Sequence, residues 1–270
     1  SGSITDSTIN VKCSGIDTNS HKVTGTIDHT LIINRNTITT ADGSGITAYD
    51  GAIVVAEDNI ISGASAGSGF GIRSSTVTAN NNVIGPIGGW NGLWIYGTSD
   101  VIAENNTIQD TAKEAVLIGE YHYLDQGWNV PTPTASRLYL ANNQISNNTG
   151  TCNSQMYDGD FACPAIHMFM SSATLYDNTV TNNAGDGMRI KASIVNAQRN
   201  TIEVSGFAAN ISLYDDNYGN KYGSIAYFSE NTYTNATQVY NITESRVTVQ
   251  SEYIPDAIPT DYDGDGIDDS

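Results

Sequence analysis

An asparagine followed two residues later by Ile or Val recurs in one frame along the chain, and this repeat constrains the fold more than any other feature. The frame holds Asn36 with Ile38, Asn59 with Ile61, Asn82 with Ile84, Asn106 with Ile108, Asn143 with Ile145, Asn178 with Val180, Asn200 with Ile202 and, degenerate, Asn231 with Tyr233. Successive asparagines are 23, 23, 24, 37, 35, 22 and 31 residues apart. The unit is therefore 22 to 24 residues with additions in three places. A period in that range marks a solenoid, in which each unit buries its apolar face only against its neighbours. Each unit keeps one internal order: a short run such as residues 92–96, a Gly/Ser/Asp corner, an alternating run such as residues 101–104, the Asn, and a last apolar pair. Three short strands per turn fit that order.

Other solenoids of similar period are excluded by their own signatures. Leucine-rich repeats need a regular Leu frame, left-handed β-helices show hexapeptides, and calcium-binding nonapeptide rolls need Gly-Gly-x-Gly-x-Asp; the sequence has none of them. The fold expected is all-β, a right-handed parallel β-helix of about nine coils with three short strands per coil. Its domain is placed at 1–253, followed by a proline-marked linker at 254–260 and a distinct segment at 261–270. In such a coil the inward positions are apolar, and an Asn at one fixed corner hydrogen-bonds to its copies above and below. Over roughly residues 25–250 the pattern resembles the pectate lyase and polygalacturonase superfamily of parallel β-helix proteins. The resemblance implies architecture. That scaffold carries lyases, hydrolases, epimerases, phage tailspikes and adhesins, so activity has to be argued from the site.

Period-two alternation in the first strand of each coil sends one set of side chains outward. The set is Tyr49, Arg73, Trp94, Tyr96, Leu117, His167, Phe169, Arg189, Lys191 and Tyr214. Three of the chain's 11 Lys and Arg residues fall in it, beside aromatics, where a solvated strand face would carry Ser, Thr, Asn and Asp. The additions rise beside the same face, at 120–134, at 147–163 and at 215–223. Walls on both sides of a sheet make a groove, and grooves on rigid scaffolds are where binding belongs. Aromatic faces suit sugar rings, and Arg, Lys and His supply donors for hydroxyls and carboxylates. The expected carbohydrate-binding residues are Tyr49, Arg73, Trp94, Tyr96, Phe169 and Tyr214, and the expected partner is an acidic polysaccharide.

Charge narrows the partner further. With 29 Asp and Glu against 11 Lys and Arg, the net charge is −18, a sign that repels nucleic-acid phosphates and anionic membrane surfaces. No stretch approaches the roughly 18 consecutive apolar residues of a membrane span. The low charged fraction, 15%, and the abundance of Asn, Gly, Ser and Thr point to a secreted or cell-surface β-protein, expected to be monomeric as a domain. Cys152 and Cys163 bracket a segment rich in Asn, Gly, Asp and Ser, a context that favours a disulfide over two packed thiols.

An enzyme on this scaffold would need a base and a positive charge at a uronate carboxylate. The catalytic candidates are His167, Arg189 and Lys191. Residues 189–191 look like the Arg-Ile-Lys motif of polygalacturonases, with His167 one coil upstream as in that family. That family's paired aspartates have no match, because the two preceding first strands carry Trp94, Tyr96 and Leu117 outward. Glu114, Glu120, Asp125 and Asp186 lie near strand ends or in the walls as the remaining acids. The reading favoured is therefore an adhesin-type carbohydrate-binding module; the alternatives are a polysaccharide lyase or pectinase-like hydrolase on a uronate polymer, and a structural stalk.

The segment after the linker has a chemistry of its own. Asp261, Asp263, Asp265, Gly266 and Asp269 match positions one, three, five, six and nine of a calcium loop, with the Ile267 carbonyl at position seven. The match resembles thrombospondin type 3 and dockerin-like repeats and implies calcium as a cofactor. Position twelve falls beyond Ser270, so the sequence reads as part of a longer multidomain chain.

Overall fold

The computed structural model describes residues 2–19, 30–119, 136–152, 161–215, 221–243 and 245–249. The expected calcium residues Asp261, Asp263, Asp265, Ile267 and Asp269 lie outside them, as do the linker and the whole of the expected wall at 120–134, with Glu120 and Asp125.

Among the described residues, three parallel sheets wind around one core, of nine, ten and nine strands. Sheet 1 contains Ile16–Asn19, Ile46–Tyr49, Phe70–Arg73, Leu93–Tyr96, Val116–Gly119, Ile166–Phe169, Met188–Lys191, Phe207–Ser212 and Gln238–Thr243. Sheet 2 follows in each coil, from Gly2–Thr5 through Thr76–Asn80 and Asp100–Glu104 to Arg246–Val249. Sheet 3 runs from Thr8–Val11, which follows Ser7, to Thr232–Thr234, each later strand beginning just after a ladder asparagine. The expected three strands per coil are thus present, forming a parallel β-helix. Inward positions of all three sheets, among them Ile46, Ile72, Ile95, Val54, Val77, Ile61 and Ile84, share one continuous buried cluster.

The asparagine column forms as the repeat requires. Asn36, Asn59, Asn82, Asn106, Asn143, Asn178 and Asn200 are all buried. Asn59 shows the pattern: its backbone N–H and its Nδ2 both donate to Oδ1 of Asn82 at 3.0 Å, and Nδ2 also donates to the Ile33 carbonyl at 2.7 Å. The degenerate copy extends the ladder, since Asn200 donates to Oδ1 of Asn231 from both its nitrogens. The residue before each ladder asparagine is left-handed, with φ of 55° at Arg35, 57° at Asp58, 56° at Asn81, 56° at Asn105 and 54° at Asp177. That kink turns the chain from sheet 2 into sheet 3. Asn and Asp tolerate the left-handed region better than most residues, which explains their frequency there.

Two further ladders escape the sequence reading. Ser75 donates its N–H to Oγ of Ser99, and Ser99 to Oγ of Ser136, at the corner between sheets 1 and 2; Ser171, Ser193 and Ser224 continue the pattern. At the corner leading back to sheet 1, Asn148 accepts from Thr111 and donates to Oδ1 of Asn183.

One strand differs from its expected position. The eighth strand of sheet 1 was expected to end on Tyr214, but it spans Phe207–Ser212 and pairs Arg189 with Asn210 and Lys191 with Ser212. Tyr214 falls instead in a short antiparallel pairing with Tyr222, off the sheet. The small residues Ala208 and Ala209 are buried and fill inward space, so an apolar run began two residues earlier than a search for large hydrophobes suggests.

Candidate functional site

On the outer face of sheet 1 the backbone register aligns Thr47, Gly71, Trp94, Leu117, His167, Arg189 and Asn210 in one row. Tyr49, Arg73 and Tyr96 form a second row at one end, with Gly119, Phe169, Lys191 and Ser212 at the other. Alternation therefore places every expected residue except Tyr214 on this face. Accessibility then divides the face into three zones.

The first zone is aromatic. Trp94 and Tyr96 stack with centroids 4.6 Å apart and planes at 23°. Trp90, in the turn before the strand, packs on Trp94 at 5.1 Å, and Tyr49 meets Tyr96 edge-on at 6.4 Å. Cations close both ends: Lys113 Nζ sits 4.9 Å from the Trp90 centroid, and the Arg73 guanidinium 4.8 Å from that of Tyr49. Arg73 also donates through Nη2 to Asp50 Oδ2 at 2.6 Å and through Nε to Oδ1 at 3.2 Å, so its charge is already engaged. Tyr96 was expected to be exposed, but it is only 4% exposed because its ring is held between Trp94 and Tyr49. Tyr96 supports the platform, while Trp90, Trp94 and Tyr49 are half-buried and present its surface.

The middle zone is closed. Leu117 is buried, and His167 and Phe169, expected respectively as a catalytic group and a sugar platform, are both 0% exposed. His167 Nδ1 lies 3.3 Å from Oε1 of Glu114, itself wholly buried, and Asn91 Nδ2 donates to Oε2 of Glu114 at 2.8 Å. Beside this cluster stands the Cys152–Cys163 disulfide, whose sulfurs and a Glu114 carboxylate oxygen lie within 4.8 Å of one another. The cysteine-bracketed addition thus packs its root against the middle of the face. Gly119 permits a close approach here: at φ 150°, a Cβ would stand 2.3 Å from the Phe169 carbonyl oxygen. Burial holds the His167 pKa below its ordinary value; the Glu114 hydrogen bond opposes the shift, and the charges of Arg189 and Lys191 add to it. A ring in this setting is a packing element tied to a carboxylate, out of reach of a polymer lying on the face.

The third zone is cationic. Arg189 and Lys191 are half-buried and point from one strand, three strand steps, or about 14 Å, from Trp94. On the next strand, Asn210 donates to Oδ2 of Asp186 at 3.1 Å, and Asp186 Oδ1 accepts from the Phe207 N–H at 2.9 Å. Asp186 is thereby committed to the corner leading into that strand.

Trp90 and Lys113 fall outside the strand pattern, and Glu114 stood in the sequence only as one of the remaining acids. Backbone bonds align Gly67, Trp90 and Lys113 in one column, where Trp90 replaces a glycine. Glu114 stands one residue further on, in the column of Ser68 and Asn91. Departure from the residue type usual at a repeat position was the signal available.

Residues 14–154 match the protein family described as right handed beta helix region. No curated protein matches the chain in sequence. Among solved structures, the A-module of the Azotobacter vinelandii mannuronan C-5 epimerase AlgE4 superposes with a TM-score of 0.54 at 13% identity, over 82% of this chain and 64% of its own. The A-module of AlgE6 from the same organism gives 0.48 at 14% identity, over 82% and 63%. The chain spans less than two thirds of either module's length, and at these identities the likeness is one of fold.

Proposed function

The chain belongs to the right-handed β-helix family, and on that premise we propose that it is a secreted or cell-surface carbohydrate-binding module that holds an acidic polysaccharide across the outer face of sheet 1. One observation carries the reading: the Trp90, Trp94, Tyr96 and Tyr49 array, its rings packed with centroids 4.6 to 6.4 Å apart, on the same face as the Arg189 and Lys191 pair. Aromatic faces take up the CH side of a pyranose ring, and cations about three strand steps away, roughly 14 Å, reach a uronate carboxylate a few sugars along. Binding is favoured over turnover because the expected catalytic His167 is wholly buried against Glu114. The name of the AlgE4 module makes a uronate polymer a sensible first ligand, and the paired cations favour a second reading, a lyase or epimerase on such a polymer.

Titration of the domain with mannuronan, alginate and polygalacturonate, with absorbance followed for unsaturated sugar ends and proton NMR for inversion at C-5, separates the two. Binding without turnover, weakened about tenfold by Trp94→Ala and by Arg189→Ala or Lys191→Ala in a salt-dependent way, is the expected result. Turnover abolished by Lys191→Ala would move the assignment to an enzyme. The absence of binding to any of these polymers would overturn it. The loop at Asp261–Asp269 is proposed to hold calcium through its Asp side chains, and loss of calcium binding on its removal checks that assignment.

A further inference from the structure

A second surface, on a different side of the tube, has features of its own. On the outer face of sheet 2 the register aligns Ile102, Tyr139, Thr174, Asn196 and Tyr227, one from each successive coil. Ile102 is 45% exposed and Tyr139 38%, where a solvated strand would carry Thr or Ser. Around this row lies a depression of about 380 Å³, within the range of small-ligand sites. Its relief follows from side-chain size: Thr174 and Asn196 are short, and Tyr139 and Tyr227 stand on either side of them, three strand steps or about 14 Å apart at the backbone. The floor of this slot therefore presents a hydroxyl and a carboxamide, and its flanks present aromatic rings.

The slot carries no net charge. The charged groups lining it are Asp100 and Arg137, and they neutralise each other through two bonds, Nε to Oδ1 at 2.6 Å and Nη2 to Oδ2 at 3.0 Å. In a chain of net charge −18, an anionic ligand meets no cation other than Arg137 among the described residues that line the slot. Rings at the flanks with hydroxyl and amide groups between them match a ligand with apolar CH faces and an edge of uncharged hydroxyls.

We propose that the Tyr139–Tyr227 slot on sheet 2 is a second binding site, for an uncharged oligosaccharide, distinct from the sheet 1 face. The two sites share no residue, so the proposal goes beyond the acidic-polymer reading and can fail without it. Together they would let one domain bridge a neutral and an acidic polymer.

Isothermal titration with cellohexaose, xylohexaose, mannohexaose and maltohexaose, and with hexamannuronate as the charged comparison, tests it. At least one neutral hexasaccharide is expected to bind with a stoichiometry of one, with an affinity unchanged between low and high salt. Tyr139→Ala and Tyr227→Ala are each expected to weaken it about tenfold, Tyr227→Phe to retain it, and Thr174→Trp to block it by filling the slot. Trp94→Ala is expected to leave it unchanged. Failure of all four neutral sugars to bind overturns the proposal. Binding that survives the Tyr139→Ala/Tyr227→Ala double variant, or that is lost in Trp94→Ala, overturns it equally, since the sugar would then lie elsewhere. A far-UV spectrum and unfolding midpoint like the parent's establish that each variant is folded.

Discussion

The asparagine corner and the outer face of sheet 1 are both columns of one residue per coil, held in register by the same backbone ladders, yet they behave differently. At the corner the interior copies share one environment: Asn59, Asn82, Asn106 and Asn143 are all buried and each donates from two nitrogens to the next Oδ1. On the face, one outward direction produces a half-buried Trp94, a fully buried His167 and a half-buried Arg189 within four successive coils. Direction is a property of the repeat. Accessibility depends on what is packed beside each copy, and the additions that break the repeat alter it.

The sharpest way to break this contrast is through the closed middle zone. If Glu114 belongs to the core rather than to a site, Glu114→Ala leaves His167 and Asn91 without their buried acceptor. Loss of one member of such a buried pair costs on the order of 3 kcal/mol, measured as a fall in the denaturant midpoint at unchanged slope. An unaltered midpoint with altered glycan binding would return Glu114 and His167 to the functional face.

The next effect tests the corner itself. Asn106→Ala keeps the backbone N–H bond to Asn143 but removes the Nδ2 donor to it and the Oδ1 acceptor of Asn82, leaving buried groups unpaired at a cost of about 1–3 kcal/mol. Asn231→Ala should cost less, because that terminal copy is half-buried and water can replace its bonds. Equal losses at both positions would show that burial does not set the ladder's contribution.

These contrasts show which parts of the molecule were legible in the sequence. The coil count, the asparagine column and the outward direction of Trp94, Arg189 and Lys191 followed from periodicity, because a strand's alternation and a solenoid's spacing are fixed by backbone geometry. The burial of Tyr96, His167 and Phe169 did not follow, since alternation does not report what lies above a side chain. Trp90 was missed because it sits in a turn, outside any strand pattern, and Tyr214 was misplaced because Ala208 and Ala209 fill the core without looking hydrophobic enough to mark it. The exposed Ile102 and Tyr139 on sheet 2 were passed over for a related reason: their strands alternate like all the others.

A smaller effect separates His167 from an exposed histidine by pH. Burial, reinforced by Arg189 and Lys191, lowers its pKa in the fold, while the unfolded value is near 6.5. Below about pH 6.5 the unfolded chain takes up a proton that the native ring refuses, so stability falls as pH drops from that value toward the folded pKa. The stabilisation is fully present above this window. The unfolding midpoint should therefore decline between about pH 7 and pH 5, and the decline should be shallower in His167→Gln, which retains a partner for Glu114 but does not titrate. Parallel pH profiles for the two proteins would mean that the ring is solvated.

The smallest effect lies one residue outside the asparagine column. Arg35 directly precedes Asn36, is left-handed at φ 55°, and pairs bidentately with Asp6 of the neighbouring coil at 2.7 Å. Both side chains are more than half exposed, so water and salt screen the pair, and such ion pairs contribute little to stability. What the position does require is the left-handed backbone. Arg35→Asn removes the ion pair and keeps a residue suited to that conformation, so no resolvable shift of the unfolding midpoint is expected at physiological salt. Arg35→Val removes the same charge but places a β-branched side chain at positive φ, and its midpoint should fall. If Arg35→Asn instead loses as much as Asn106→Ala, the charged column outside the corner contributes as much as the amide column inside it, and burial is not what distinguishes the two.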